Sequence, residues 1–170
     1  MNQKFFTTNE NEGWGRLQNF NGQTKMFQTL ERAQEFCQWD ASGVCNGQKV
    51  LIEIKTRKAK LTDGIRLSGQ SFTSDDLFIE DYKLGVMLLQ SEIENFIPLY
   101  INFLEDGTTV IHNLKKLTSY KNYSNLSIES KGYQATQART NRIGLFMHDA
   151  TIYDKDGNLI QKNKINSGKN

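Results

Sequence analysis

The sequence predicts a single α/β domain: a mixed central sheet whose elements run helix, strand, strand, strand, helix, strand, with further strands behind. Three observations predict it. The dipeptide Asn46-Gly47 sits between two runs of strand character, a strong hairpin signal. Ile79, Tyr82, Val86, Leu89 and Ile93 recur at three- and four-residue steps, as on a helix with one buried stripe. The apolar run LYINFL at residues 99–104 follows that helix directly, and the connection suits a right-handed crossover between parallel neighbours.

The elements follow in order. Residues 9–20 form a first helix capped by Thr8 or Asn9, with Glu10 and Glu12 in its first turn. Gly13 and Gly15 weaken it. Residues 24–30 alternate loosely as a strand, and 36–44 and 49–56 make the hairpin. Residues 57–74 read as a long basic loop. The second helix covers 77–95, with Ser74 as its cap and Asn95 and the lone Pro98 at its end. Asp106-Gly107 turns the chain into a partner strand over 108–114. Residues 120–128 are ambiguous and 129–142 are polar. Strand character returns over 143–153, and Asp156-Gly157 makes another turn.

A chain of 170 residues suits one domain, taken as 1–160, with 161–170 (QKNKINSGKN) as a flexible tail. A hydrophobic fraction of 37% with 11% aromatics is a globular composition. The net charge of +2 argues neither for nor against an anionic partner. Cys37 and Cys45 make no disulfide framework and point to a reducing compartment. Zinc spacing is missing, and His112 and His148 stand alone as packing or surface residues. The start, MNQKFFTTNENEG, lacks the apolar core of a signal peptide, and no run of 18 apolar residues exists. A soluble, cytoplasmic protein is expected.

The hairpin carries the chemistry. With Asn46 and Gly47 as loop residues, Cys45 pairs with Gln48, and continuing the ladder places Asp40 opposite Glu53. Glu53 and Lys55 share one strand face; Val50, Ile52 and Ile54 share the other, assigned to the core. Two carboxylates roughly 5 Å apart at Cβ destabilise a sheet unless something positive sits between them. Oxygen ligands suit Mg²⁺ or Mn²⁺ better than zinc, and the Ile54 carbonyl could add a ligand. Lys55 could orient a water or stabilise charge on a phosphate. No serine or cysteine nucleophile system is present.

The stretch Trp39-Asp40, then Val50-Leu51-Ile52-Glu53-Ile54-Lys55, then Thr56-Arg57-Lys58 resembles the PD-(D/E)XK nuclease superfamily, especially Holliday-junction resolvases and small phage-encoded nucleases. The resemblance implies a restriction-endonuclease-like αβββαβ core and a Mg²⁺- or Mn²⁺-dependent deoxyribonuclease. It makes Asp40, Glu53 and Lys55 catalytic, and Asp40, Glu53, Ile54 and Glu12 metal-binding. The upstream acid stays open among Glu10, Glu12, Glu31 and Glu35. Trp39 departs from the family's proline. DNA contacts are expected from Arg57, Lys58, Lys60 and, on the second helix, Lys83, with Arg139 and Arg142 read as surface charges. The fold class allows a homodimer, acting in a host cytoplasm if phage-encoded. The rival reading is a non-catalytic nucleic-acid-binding or structural protein that retains the fold. E-x-K arises easily on any alternating strand.

Overall fold

Thr7 starts the first helix, α1 (Thr8–Thr24), through a capping box: its hydroxyl accepts the Glu10 N–H at 3.2 Å and its own N–H donates to the Glu10 carboxylate at 2.6 Å. A computed structural model of the chain describes residues 7–34, 37–61, 76–118, 120–123 and 141–162. The helix runs past the expected stop at residue 20 because Asn21 turns its side chain to the backbone of Phe27, and it ends with Lys25 in the left-handed region. Gly13 does not weaken it. That glycine lets α1 lie close on the sheet, where a Cβ would stand 3.0 Å from Ile54 Cγ2.

Three antiparallel strands follow: β1 (Thr29–Arg32), β2 (Ala41–Cys45) and β3 (Gln48–Arg57). Asn46 and Gly47 both take positive φ, 51° and 74°, the backbone of a two-residue hairpin turn. The hairpin register is the expected one, from Cys45↔Gln48 to Ala41↔Ile52 without a bulge. The strand expected over 24–30 starts later, since α1 uses its first residues.

The second helix is shorter than expected. Residues 76–80 are a strand, β4 (Asp76–Glu80), and the helix α2 covers Asp81–Glu94. Pairing with a distant strand overrides the helical spacing that began at Ile79. Asn95 caps the C-terminus with φ 55°, as the sequence indicated. The buried face is Leu84, Met87 and Ser91, not the expected stripe. Tyr82, Leu89 and Ile93 are 54%, 62% and 69% exposed. The helix carries two apolar stripes of equal spacing, and the surfaces around it select the one that fits.

The helix returns the chain to β5 (Ile97–Leu104), parallel to β3. Then come β6 (Thr109–Asn113), β7 (Tyr120–Tyr123), β8 (Arg142–Phe146), β9 (Thr151–Tyr153) and β10 (Leu159–Gln161). The strand expected over 143–153 is thus two, split by a 3-10 turn at Met147–Asp149. The main sheet has order β1-β2-β3-β5-β6-β9-β10, and a small antiparallel sheet has order β4-β8-β7. The chain is a mixed α/β domain with the expected αβββαβ succession and extra C-terminal strands; β4, before α2, is an addition that the sequence did not suggest. Gln161, first residue of the expected tail, closes β10 and donates to the carbonyls of Met147 and Ala150. Residues 163–170 lie outside the described residues, as does most of the expected basic loop.

The main sheet is buried on both faces. Leu17 and Phe20 of α1 pack with Val50, Ile52, Ile101 and Phe103 on one. Leu84 and Met87 of α2, with Ile143 and Leu145 of the small sheet, cover Leu51 and Tyr100 on the other. Glu53 therefore stands on a covered face, and Lys55, two residues on, reaches its open edge. No helix among the described residues is long and apolar enough to cross a membrane.

Candidate active site

Asp40 sits one residue before β2. Its N–H donates to the Ile52 carbonyl at 2.9 Å, its carbonyl accepts from Ala33 at 2.8 Å, and its Oδ2 accepts the Ile54 N–H at 2.8 Å. Its carboxylate is thus not a simple ladder partner of Glu53: it bends over the end of β3 and takes the backbone donor that β2 is too short to pair. An extended residue's N–H and C=O point to the same side, so the Ile54 carbonyl also projects toward the Asp40 side.

Glu53 is the anomaly of the fold. Only 3% of it is exposed. Its Oε2 is buried and accepts no hydrogen bond. Two ammonium groups stand at ion-pair range, Lys83 Nζ at 3.4 Å from Oε2 and Lys55 Nζ at 3.5 Å from Oε1. The Lys83 ammonium also donates to the Gln38 carbonyl at 2.7 Å, so it lies between that backbone oxygen and the carboxylate. Burial pushes the Glu53 carboxyl up to about 7, with Asp40 pushing the same way and both lysines pulling back. Burial pulls the Lys55 ammonium down, but Glu53, Tyr100 and Asp40 outweigh it and the net direction is up.

These groups meet in a cleft of about 490 Å³ lined by Asp40, Glu53, Ile54, Lys55 and Lys83, with Glu10 and Trp39 at its wall. A smaller recess of about 130 Å³ shares Glu53, Lys55 and Lys83 with it and adds Arg57, Tyr100 and Arg142. Below lies a polar row that the sequence reading missed. Tyr100 donates to the Phe78 carbonyl at 2.6 Å, and Asn102 is fully buried. Arg57 donates to Asn102, to the Tyr100 hydroxyl and to the Phe78 carbonyl at 3.0, 2.7 and 2.7 Å. The signal was present: Asn102 interrupts an otherwise apolar run at a position that, by register, sits beside Lys55.

Asp40, Glu53, Ile54, Lys55 and Lys83 come together. Other expected residues do not. Glu12 is exposed and does not line the cleft; Glu10 is the α1 acid that does, with its carboxylate engaged in the capping box. Glu31 is exposed on β1, and Glu35 lies outside the described residues. Arg57 ends β3 and holds the polar row, so it is not part of a loop reaching for phosphate. Lys58 and Lys60 are exposed and outside both cavities. Lys83 is a wall of the site, not a solvated helix lysine. Arg142 lines the recess with its guanidinium over the Phe78 ring, 5.7 Å from the centroid, and Arg139 lies outside the described residues. His112 is buried away from the cleft, with Nε2 2.9 Å from the Phe146 carbonyl and its pKa lowered by burial to about 4. Among the described residues no three His, Cys, Asp or Glu side chains gather as a metal-holding group.

No protein-family model matches the chain, and no curated protein matches it. Among solved structures it is similar to a Holliday junction resolvase of the archaeal hyperthermophile Archaeoglobus fulgidus. The identity is 11%, the match covers 88% of this chain and 99% of that one, and the TM-score is 0.46. That likeness adds no weight to the chemistry, which stands on the side chains.

Proposed function

We propose that the chain is a divalent-metal-dependent nuclease that hydrolyses DNA phosphodiester bonds at the Asp40–Glu53–Lys55 cleft. The observation that carries this reading is the orphaned Oε2 of Glu53. Oε2 is buried with no short donor and only the Lys83 ammonium at 3.4 Å, and the two lysines do not offset the cost of burying this charge beside Asp40, which a divalent cation between the two carboxylates would relieve. The donor set fits a hard cation: two carboxylates and the Ile54 carbonyl, all oxygen. Asp40, Glu53 and Ile54 would hold Mg²⁺ or Mn²⁺. When bound, the metal supplies Lewis-acid polarisation of a phosphoryl oxygen and lowers the pKa of a coordinated water.

The chain's own groups do the rest. Lys55 is 46% exposed at its side chain, reaches the cleft from β3, and stays charged beside Glu53. It orients the attacking water and offsets charge that develops on the phosphate. Lys83, fixed to the Gln38 carbonyl, keeps a second positive charge at the cleft wall. Asp40 is held by three backbone contacts, which fixes it before substrate arrives.

A second reading, DNA binding without cleavage, is favoured by one observation: Glu12 is not at the cleft, and Glu10, the α1 acid that lines it, has its carboxylate engaged in the capping box. Incubation of supercoiled plasmid and of a four-way DNA junction with Mg²⁺ or Mn²⁺ separates the two. The nuclease reading expects cutting by the native chain and at least a hundredfold loss, on the order of one catalytic group, in Lys55→Ala. Tight binding with no product under either metal supports the second reading.

A further inference from the structure

We infer that Arg142, delivered by the small sheet, anchors a DNA phosphate next to the one that is cut. The inference deepens the nuclease reading and rests on it for the identity of the ligand. Its basis is the recess that opens from the cleft at Glu53, Lys55 and Lys83. Among the described residues its charged lining is Lys55, Arg57, Lys83 and Arg142 against Glu53 and Glu80, a surplus of cations in a half-enclosed space. Such a surplus is unfavourable without an anion to share it.

The cations are not equivalent. Arg57 spends its donors on Asn102, Tyr100 and the Phe78 carbonyl. Lys83 is committed to Gln38 and Glu53, and Lys55 faces Glu53. Arg142 makes no hydrogen bond or ion pair to any described residue through its guanidinium; Phe78 supports one face of it by stacking. It is half-buried; burial and the like-charged Arg57 act against its charge, while Glu80, across the β4–β8 ladder, favours it from beyond ion-pair range. A stacked guanidinium with unspent donors is pre-organised for a bidentate phosphate contact. The small sheet is therefore more than a cover for α2. It places Arg142 opposite Glu80 in the β4–β8 register, at the rim of the recess. A phosphate held there positions the strand while its neighbour lies at Glu53 and Lys55. Arg142 is a positioning residue, since it touches no reacting atom.

The test is DNA binding by fluorescence anisotropy, with a labelled duplex and a labelled four-way junction, across a range of KCl concentrations. All variants carry Lys55→Ala, so cleavage does not intervene. Arg142→Met keeps the aliphatic stack on Phe78 and removes the charge; Arg142→Lys keeps a point charge without the fork; Lys49→Met is a control far from the recess. Arg142→Met should bind about tenfold more weakly and lose about one unit of salt slope. Arg142→Lys should keep the slope and recover part of the affinity. Affinity and slope equal to those of the Lys49→Met control overturn the inference, provided melting shows both variants folded. If Arg142→Met does not fold, an Arg142→Lys variant that binds as tightly as its parent overturns it. A native chain that binds DNA with the Arg142 dependence but never cuts would sink the nuclease reading and leave the subsite standing. Normal cutting with no Arg142 dependence does the reverse.

Discussion

Replacing Glu53 by glutamine should make the protein more stable at alkaline pH while abolishing its chemistry. The magnitude follows from the site. Glu53 titrates at about 7 in the fold and at 4.5 when free. At about 1.4 kcal/mol per pH unit, its ionised form is disfavoured in the fold by about 3 kcal/mol. The native state keeps a proton that the unfolded chain has already released between pH 4.5 and 7. Stability from this group is therefore fully present below 4.5 and is lost as pH rises through about 7. Glutamine resembles the protonated carboxyl at every pH. In metal-free buffer at pH 8, Glu53→Gln should be about 3 kcal/mol more stable than the native chain, and at pH 4 nearly equal to it. Urea unfolding at both pH values measures this. A variant less stable than the native chain at pH 8 would refute the reasoning, because the two lysine contacts would then outweigh burial.

Other perturbations follow from the same structure. Asp40→Asn keeps an acceptor for the Ile54 N–H but removes a like charge beside Glu53; the pH midpoint of the native chain's stability loss should move down, read from the same urea series. Gly43→Ala should cost several kcal/mol, about 2–4, since a Cβ there would stand 2.2 Å from the Thr29 carbonyl oxygen in backbone too tightly paired to move; thermal melting reads it, and a neutral result contradicts the hairpin packing. Met87→Ala should cost about 2–5 kcal/mol, whereas Leu89→Ser should cost under about 0.5, because the first is fully buried and the second is 62% exposed. Equal losses would mean that the wrong stripe of α2 has been identified.

The hairpin was legible because its determinants are local. Asn46-Gly47 fixes the turn, the turn fixes the register, and the register delivers Asp40 to the end of β3 beside Glu53. The parallel β3–β5 pairing was legible for a similar reason, since a helix of that length leaves few other connections. What the sequence concealed is set by distant partners. β4 is a strand because β8, some sixty residues on, pairs with it. α2 has two stripes that satisfy helical periodicity, and only the packed surfaces decide between them. The same holds for the site. Lys83 reads as a solvated helix lysine until the fold sets it 3.4 Å from Glu53. Arg57 reads as the start of a loop until Tyr100 and Asn102 are seen to hold it. The sequence assigned only the Val50, Ile52 and Ile54 face to the core; that Leu51 on the Glu53 face is buried too depends on α2 and the small sheet, which pack there from distant parts of the chain.

Calorimetric titration of Mn²⁺ into the native chain and into Glu53→Gln, at pH 6 and pH 8, shows whether a divalent cation sits at the Glu53 carboxylate. A cation that takes the place of the Glu53 proton must bind more tightly at pH 8 than at pH 6 and must release that proton on binding at pH 6. The native chain should show this pH dependence and the variant no binding. Binding that is indifferent to pH, or that survives in Glu53→Gln, would contradict a cation at that carboxylate.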